Sequence, residues 1–258
     1  MSRVWAYGVT TVPSRRLDLL PQTLASLRAA GFDRPHLFVD GDNDATGWWS
    51  REFGLPMTFH DPKINVAGNW HLAALKLIYT VPNADYYAIF QDDFVAVRNL
   101  KTYLTRRPCP RDGYMNLLAF PAEIDRGASL LGGKTGWFPT RQNGRGAVAL
   151  VFPRPVLVAI LSSNHLNNRI TDPDRGWRLI DGGIVDSAKE KGLREYCHAP
   201  GLVKHVGKVS TMDKRRAAIP MEAKDGKWVW PPYYDRTDCP GEEVDACSFL
   251  PERVESAP

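Results

Sequence analysis

The chain has 258 residues, 43% hydrophobic and 24% charged, the balance of a soluble globular protein with enough length for a sizeable core. Its formal net charge of +4 permits an anionic partner without demanding one. No apolar run approaches the roughly 18–20 residues that cross a bilayer, and the opening MSRVWAYGVTTVP has no long apolar signal core. A membrane-spanning or secreted protein is therefore not expected. The four cysteines, Cys109, Cys197, Cys239 and Cys247, form no CxxC pair. They favour a reduced, cytoplasmic setting, with a Cys239–Cys247 bridge as the alternative.

Residues Val4 to Val9 read as a first strand, followed by the turn-rich TTVPSRR. From Arg15 to Ala30, Leu17, Leu20, Leu24 and Leu27 recur at helical spacing, and Gly31 supplies a stop. HLFVDGDND gives a second strand that ends in acids and glycine. NWHLAALKLIYT, residues 69 to 80, reads as a helix, and Asp85 to Gln91 as the next strand. This alternation predicts a parallel α/β sheet rather than hairpins. In such sheets ligands collect at the carboxyl ends of the strands, where Thr11, Asp40, Asp42, Asp92 and Asp93 all fall.

The middle is less regular. Gly132 to Gly146 is rich in glycine and basic residues, and AVALVFPRPVLVAIL then predicts a strand and a helix starting near Pro155. A further helix is expected over Gly182 to Lys191, and APGLVKHVGKVST reads as a short strand with a glycine turn. The expected organisation is one domain over residues 1–211, in two halves of about 1–100 and about 101–211. Residues 212–258, rich in proline, tryptophan and basic side chains, read as an irregular extension packed on it.

The adjacent carboxylates of Asp92 and Asp93 raise the central question. Like charges at the end of a buried strand repel and lose hydration unless a cation or donor network compensates. An isolated acidic pair usually caps or forms salt bridges. Here further acids sit at a neighbouring strand end, and hard divalent cations take carboxylate oxygens while leaving positions for phosphate and water.

From VTTVPSRRLDLLPQTLASLRAAGF to HVGKVST the sequence resembles the GT-A glycosyltransferases, with local similarity to branching-type N-acetylglucosaminyltransferases. The resemblance implies a Rossmann-like, mostly parallel sheet flanked by helices, a nucleotide-sugar donor such as a UDP-sugar, and Mn²⁺ or Mg²⁺. QDDF stands where that family carries its DxD-type motif, although Gln91 replaces the first acid. By this resemblance Asp93 and His205 are the metal ligands and Asp92 contacts ribose or sugar. Imidazole with carboxylate suits Mn²⁺ better than Mg²⁺. Thr11, Pro13, Arg15, Asp40, Asp42, Asn69, Gly146 and Lys208 are the further donor-binding candidates. For Asn69, capping of its own helix is the plainer role.

LIDGGIVDSAKEKGL resembles the family segment whose acid opens a helix, which makes Asp181 the candidate base of an inverting transfer and Asp186 its reserve. Asp181 as a simple helix cap is the bland alternative. Trp137, with Arg141 and Arg145, is a candidate acceptor platform, against the commoner role of a tryptophan in a core.

Two rival classes stand beside this reading. A nucleotidyltransferase shares the architecture and the acids, but would carry a glycine-rich phosphate loop after the first strand, and TTVPSRR has no glycine. A non-enzymatic nucleic-acid binder would use the basic stretch from Lys204 to Lys227 with Trp228 and Trp230, yet leaves the acidic strand ends unexplained. The same basic stretch makes DNA with a hydroxymethylated base one candidate acceptor, alongside glycans and small alcohols.

Overall fold

The structure, a computed structural model, describes residues 3–107, 110–143, 146–171, 180–207, 222–224, 227–229 and 239–250. The strand expected at the start is β1 (Trp5–Thr11), placed inside the sheet by parallel pairing on both sides. The first helix is shorter than its leucine spacing suggests. Pro13–Arg15 forms a single 3-10 turn, and α1 (Leu19–Ala29) begins only after Asp18, whose carboxylate caps Leu19 N–H at 2.6 Å. Leu17 is consequently left outside, 76% exposed.

β2 (His36–Asp40), α2 (Trp48–Phe53) and β3 (Met57–His60) follow. The next helix, α3 (Asn65–Thr80), starts a turn earlier than its sequence suggests and leads to β4 (Tyr86–Gln91). After the two aspartates come β5 (Phe94–Ala96), α4 (Leu100–Arg106), β6 (Gly113–Asn116), α5 (Pro121–Leu131) and β7 (Gly136–Pro139). The apolar run of the middle becomes β8 (Ala149–Pro153) and α6 (Arg154–Leu161), as its pattern predicts. α7 (Asn164–Thr171), α8 (Ile180–Glu190), β9 (Arg194–Ala199) and β10 (Val203–His205) complete this part.

Eight strands form one mostly parallel sheet in the order β3-β2-β1-β4-β8-β6-β9-β7. β3, β2, β1 and β4 are mutually parallel, as is the β6–β9 pair, whereas β8 and β7 run against their neighbours. Helices cover both faces. α1 and α4 supply Leu20, Leu27, Tyr103 and Leu104 to one core layer, and α3, α6 and α8 supply Trp70, Leu77, Leu157 and Ile184 to the other. The fold is thus a Rossmann-like α/β sandwich, and parallel strands of this kind require such cover on both faces.

Two hydroxyls on α1 set the position of β5. Thr23 Oγ1 donates to Phe94 O at 2.9 Å, and Ser26 Oγ accepts Ala96 N–H at 3.1 Å. β10 then lies antiparallel to β5, pairing His205 with Phe94. Beyond it, residues 222–224 pair with residues 227–229 as a short hairpin. Residues 239–250 dock beside α4 through Asn99 Nδ2–Asp245 Oδ2 at 2.7 Å, so the extension is not wholly irregular. Among the described residues Cys197, Cys239 and Cys247 form no disulfide with one another. Among the described residues no helix is long and apolar enough to cross a membrane.

Candidate functional site

The carboxyl ends of β1 and β4 lie side by side, because Thr10 pairs with Gln91 in parallel register. One residue further, Thr11 Oγ1 donates to Asp92 Oδ2 at 2.6 Å. Both side chains are buried. Burial, and next the charge of Asp93, push the Asp92 carboxyl up to about 7, with Thr11 and Arg15 pulling the other way.

Asp93 turns toward β10. Val206 N–H donates to Asp93 O at 2.8 Å, which pins the chain after β10 against the aspartate turn. His205 Nε2 accordingly lies 3.2 Å from Asp93 Oδ2, although 112 residues separate the two in sequence. The Arg15 guanidinium reaches the same oxygen at 3.9 Å. Burial opposes the Asp93 charge, but His205 and Arg15 outweigh it and hold this carboxyl below its usual range. The other oxygen, Oδ1, is buried and has no hydrogen-bond partner among the described residues. An acceptor left in that condition costs about 1–3 kcal/mol.

Gly207 closes this corner. A Cβ there would lie 2.8 Å from Asp93 Oδ2 and 3.0 Å from its Cβ, so only glycine lets the chain pass. The acidic pair is therefore compensated in part by arginine and histidine, and one oxygen remains for a ligand. Among the described residues no three His, Cys, Asp or Glu side chains gather as a metal-binding set. Two protein ligands with one unmet oxygen nevertheless fit a divalent cation whose other positions go to phosphate and water.

Asp181, on the first turn of α8, binds a different partner from the one expected of a cap. Its Oδ2 accepts Gly146 N–H at 2.7 Å, and Ala147 N–H also bonds the carboxylate. Burial raises its pKa, while these amides pull it back. Gln91 N–H donates to Val148 O at 2.7 Å, so Gly146 to Val148 run past the end of β4. Asp181 is thereby tied to the same strand end as Asp92 and Asp93. Gly146 has φ +81°, and a Cβ there would meet the Phe120 ring at 2.3 Å.

The remaining candidates divide. Pro13 opens the 3-10 turn that carries Arg15 to Asp93. The carboxylate of Asp40 holds the start of α3, and that of Asp42 is engaged within its own loop and by Trp49. Asp40 accepts Ile64 N–H at 2.7 Å, and Asp42 accepts the N–H groups of Asn43, Asp44 and the Trp49 indole. Asn69 does not sit at a helix start, because α3 has already made a turn by that point. It donates to Phe38 O at 3.0 Å, and its buried Oδ1 is unmet. Trp137 packs edge-on against His198 at 5.0 Å, in the core layer rather than as an open platform. Asp186 lies a turn further along α8 than Asp181. Lys208, Arg145 and most of the basic stretch lie outside the described residues, whereas Lys204 is exposed.

Sequence reasoning passed over two residues of this region. Gly207 was visible only as part of KHVGK. Glu195, a lone acid inside REYCHA, carried a signal in being charged within an otherwise half-apolar strand. It is buried, and accepts hydrogen bonds from Tyr114, Asn116 and Thr140.

No family model and no curated protein matches the chain. Solved structures do. One is GalNAc-T7 with UDP, GalNAc and Mn²⁺, at 10% identity and TM-score 0.55, covering 79% of this chain and 44% of that one. Another is the CTP:phosphocholine cytidylyltransferase of Streptococcus pneumoniae, at 11% identity and TM-score 0.48, covering 78% and 93%. A nucleotidyl transferase from Methanothermobacter thermautotroptrophicus matches at 16% identity and TM-score 0.46, covering 75% and 86%. At such identities the likeness is one of fold alone.

Proposed function

We propose that the chain is a cation-dependent transferase that moves a sugar from a nucleotide-diphosphate donor to an acceptor hydroxyl. One observation carries this reading: the buried, unpartnered Oδ1 of Asp93, set beside His205 and Arg15 at the carboxyl ends of β1 and β4. A buried acceptor of this kind calls for a cation or a donor, and the position is where ligands gather in open α/β sheets. The fold shared with GalNAc-T7 supports the same choice.

In this reading Asp93 and His205 hold Mn²⁺ or Mg²⁺. A divalent cation there supplies neutralisation of the diphosphate charge that grows as the leaving group departs. Arg15 adds fixed positive charge on the same side, and Thr11 orients Asp92 toward the donor. Asp181 takes the acceptor proton, held in place by the Gly146 and Ala147 amides and made more basic by burial.

The test is a screen of nucleotides and nucleotide sugars by thermal shift, with and without Mn²⁺, followed by product analysis. Cation-dependent stabilisation by one nucleotide sugar and transfer of the sugar to an alcohol are expected. Glycans, small alcohols and hydroxymethylated DNA form the acceptor arms of that assay. Coupling of the nucleotide itself to a phosphorylated substrate would replace glycosyl transfer by nucleotidyl transfer.

A further inference from the structure

Glu195 is a buried carboxylate that the chemistry above does not use. It stands on β9, in the half of the sheet away from the aspartate pair. Three neutral donors converge on it: Tyr114 Oη and Asn116 Nδ2 on Oε1, each at 3.1 Å, and Thr140 Oγ1 on Oε2 at 2.6 Å. Burial raises its pKa against the pull of these donors. Packing alone does not call for a charge here, since apolar residues of similar volume often stabilise such places equally well.

Asn116 passes the contact on toward the strand end that carries Asp92. Asn116 Oδ1 accepts Leu118 N–H at 3.2 Å, which fixes the turn leading to Phe120, and Gly146 packs on the Phe120 ring. Leu117 N–H donates to Ala149 O at 3.0 Å, and the preceding carbonyl, Val148 O, receives Gln91 N–H. Thr140 Oγ1, which holds the other carboxylate oxygen, also accepts Gln142 N–H at 3.0 Å. Tyr114 and Asn116 line one tight space together with Glu195 and Asp181, the residue that captures Gly146 N–H.

We infer that Glu195, anchored by Thr140, is a positioning residue of the proposed transfer: through Asn116 it sets where Gly146 to Val148 lie beside the aspartate turn, and so where Asp181 is aimed. The inference rests on the transferase reading for its consequence in turnover, but not for its consequence in structure. Glu195 touches no reacting atom. Its charge form matters because all three partners are donors, and Glu195→Gln would set a fourth donor among them.

The experiment compares wild type with Glu195→Gln, Thr140→Val and Thr140→Ser. It reads amide exchange at Gly146 and Ala147, donor affinity and kcat. Glu195→Gln and Thr140→Val are expected to speed that exchange at least about 10-fold, as loss of a local anchor does. They should lower kcat about 10- to 100-fold through misplacement of the base, with donor Kd within about 3-fold. Thr140→Ser, which keeps the hydroxyl, should match wild type in all three. If Glu195→Gln does not fold, Thr140→Val carries the comparison, since Thr140 is only partly buried. Wild-type exchange at Gly146 and Ala147 in Thr140→Val overturns the inference whatever the activity. Accelerated exchange in an enzyme that transfers no sugar upholds the structural link and fails the transferase reading instead.

Discussion

Asp93 and Glu195 are two carboxylates withdrawn from water in one sheet, and their surroundings are opposite. Glu195, among β6, β9 and Thr140, has a donor on each oxygen. Asp93, at the end of β4, has its Oδ2 shared between His205 and Arg15 and its Oδ1 bare. A buried polar group that is fully bonded builds structure, whereas one left short marks a place prepared for something else. Glu195 is thus satisfied by side chains of its own, far half of the sheet, whereas the Asp93 oxygen, in the near half, is the place where the proposed function seats its cation.

The strongest way to break that contrast is Asp93→Ala. It should lower cation-dependent transfer by about 10³-fold or more and abolish the cation-dependent part of donor stabilisation, at little cost to folding. Retained stabilisation by donor plus Mn²⁺ would show that the bare oxygen is not where the cation sits. Next in size is the far half's response to acid. His198 is buried, with Nε2 2.6 Å from Tyr103 Oη and Nδ1 2.7 Å from Pro200 O, and burial lowers its pKa to about 4.

The sign of that effect is fixed by which state binds the proton. Between about pH 6.5 and about 4 the unfolded chain takes up a proton that folded His198 refuses, so stability falls as pH falls through that window. The loss from this group is about 3 kcal/mol, and denaturant melts of wild type and His198→Gln would reveal it as a slope present in one and reduced in the other.

Asp181→Asn sharpens the comparison at the boundary between the halves. It should reduce kcat about 10²-fold while sparing donor affinity, and full activity would remove Asp181 as the base. The smallest effect is expected from Gly207→Ala. The added methyl must displace the Asp93 carboxylate, so Mn²⁺ affinity in calorimetry should weaken about 10-fold, by analogy with the cost of misplaced site groups. An unchanged affinity would mean that the chain at Gly207 yields more easily than its contacts suggest.

Much of the near half was legible in the sequence, because its signals are local. β2 and β4 announce themselves as apolar runs closed by acids, β1 as one closed by a proline turn, and parallel connections place those ends together. The start of α3 was not legible. Its N-cap, Ile64, makes no side-chain cap, and Asn65 has φ +65°, so nothing in INVAG advertises a helix. The meeting of His205 with Asp93 could be suggested only by family resemblance, since it depends on β10 finding β5 across the chain. Glu195 was hidden for a similar reason: its donors come from residues 81, 79 and 55 positions away. For Asp40 and Asp42 the strand end was legible but their internal partners were not, since Asp40 holds the start of α3 and Asp42 the Trp49 indole.

The pairing of β10 with β5 has a consequence for how the protein is made. Residues 1–100 hold Thr11, Arg15, Asp92 and Asp93, but the imidazole and the glycine that complete their corner arrive with residues 205 and 207. A nascent chain still on the ribosome can therefore assemble β1 to β4 long before it owns a finished corner, and competence should appear abruptly once Gly207 has cleared the exit tunnel. Until then the newly made polypeptide carries an incomplete grip.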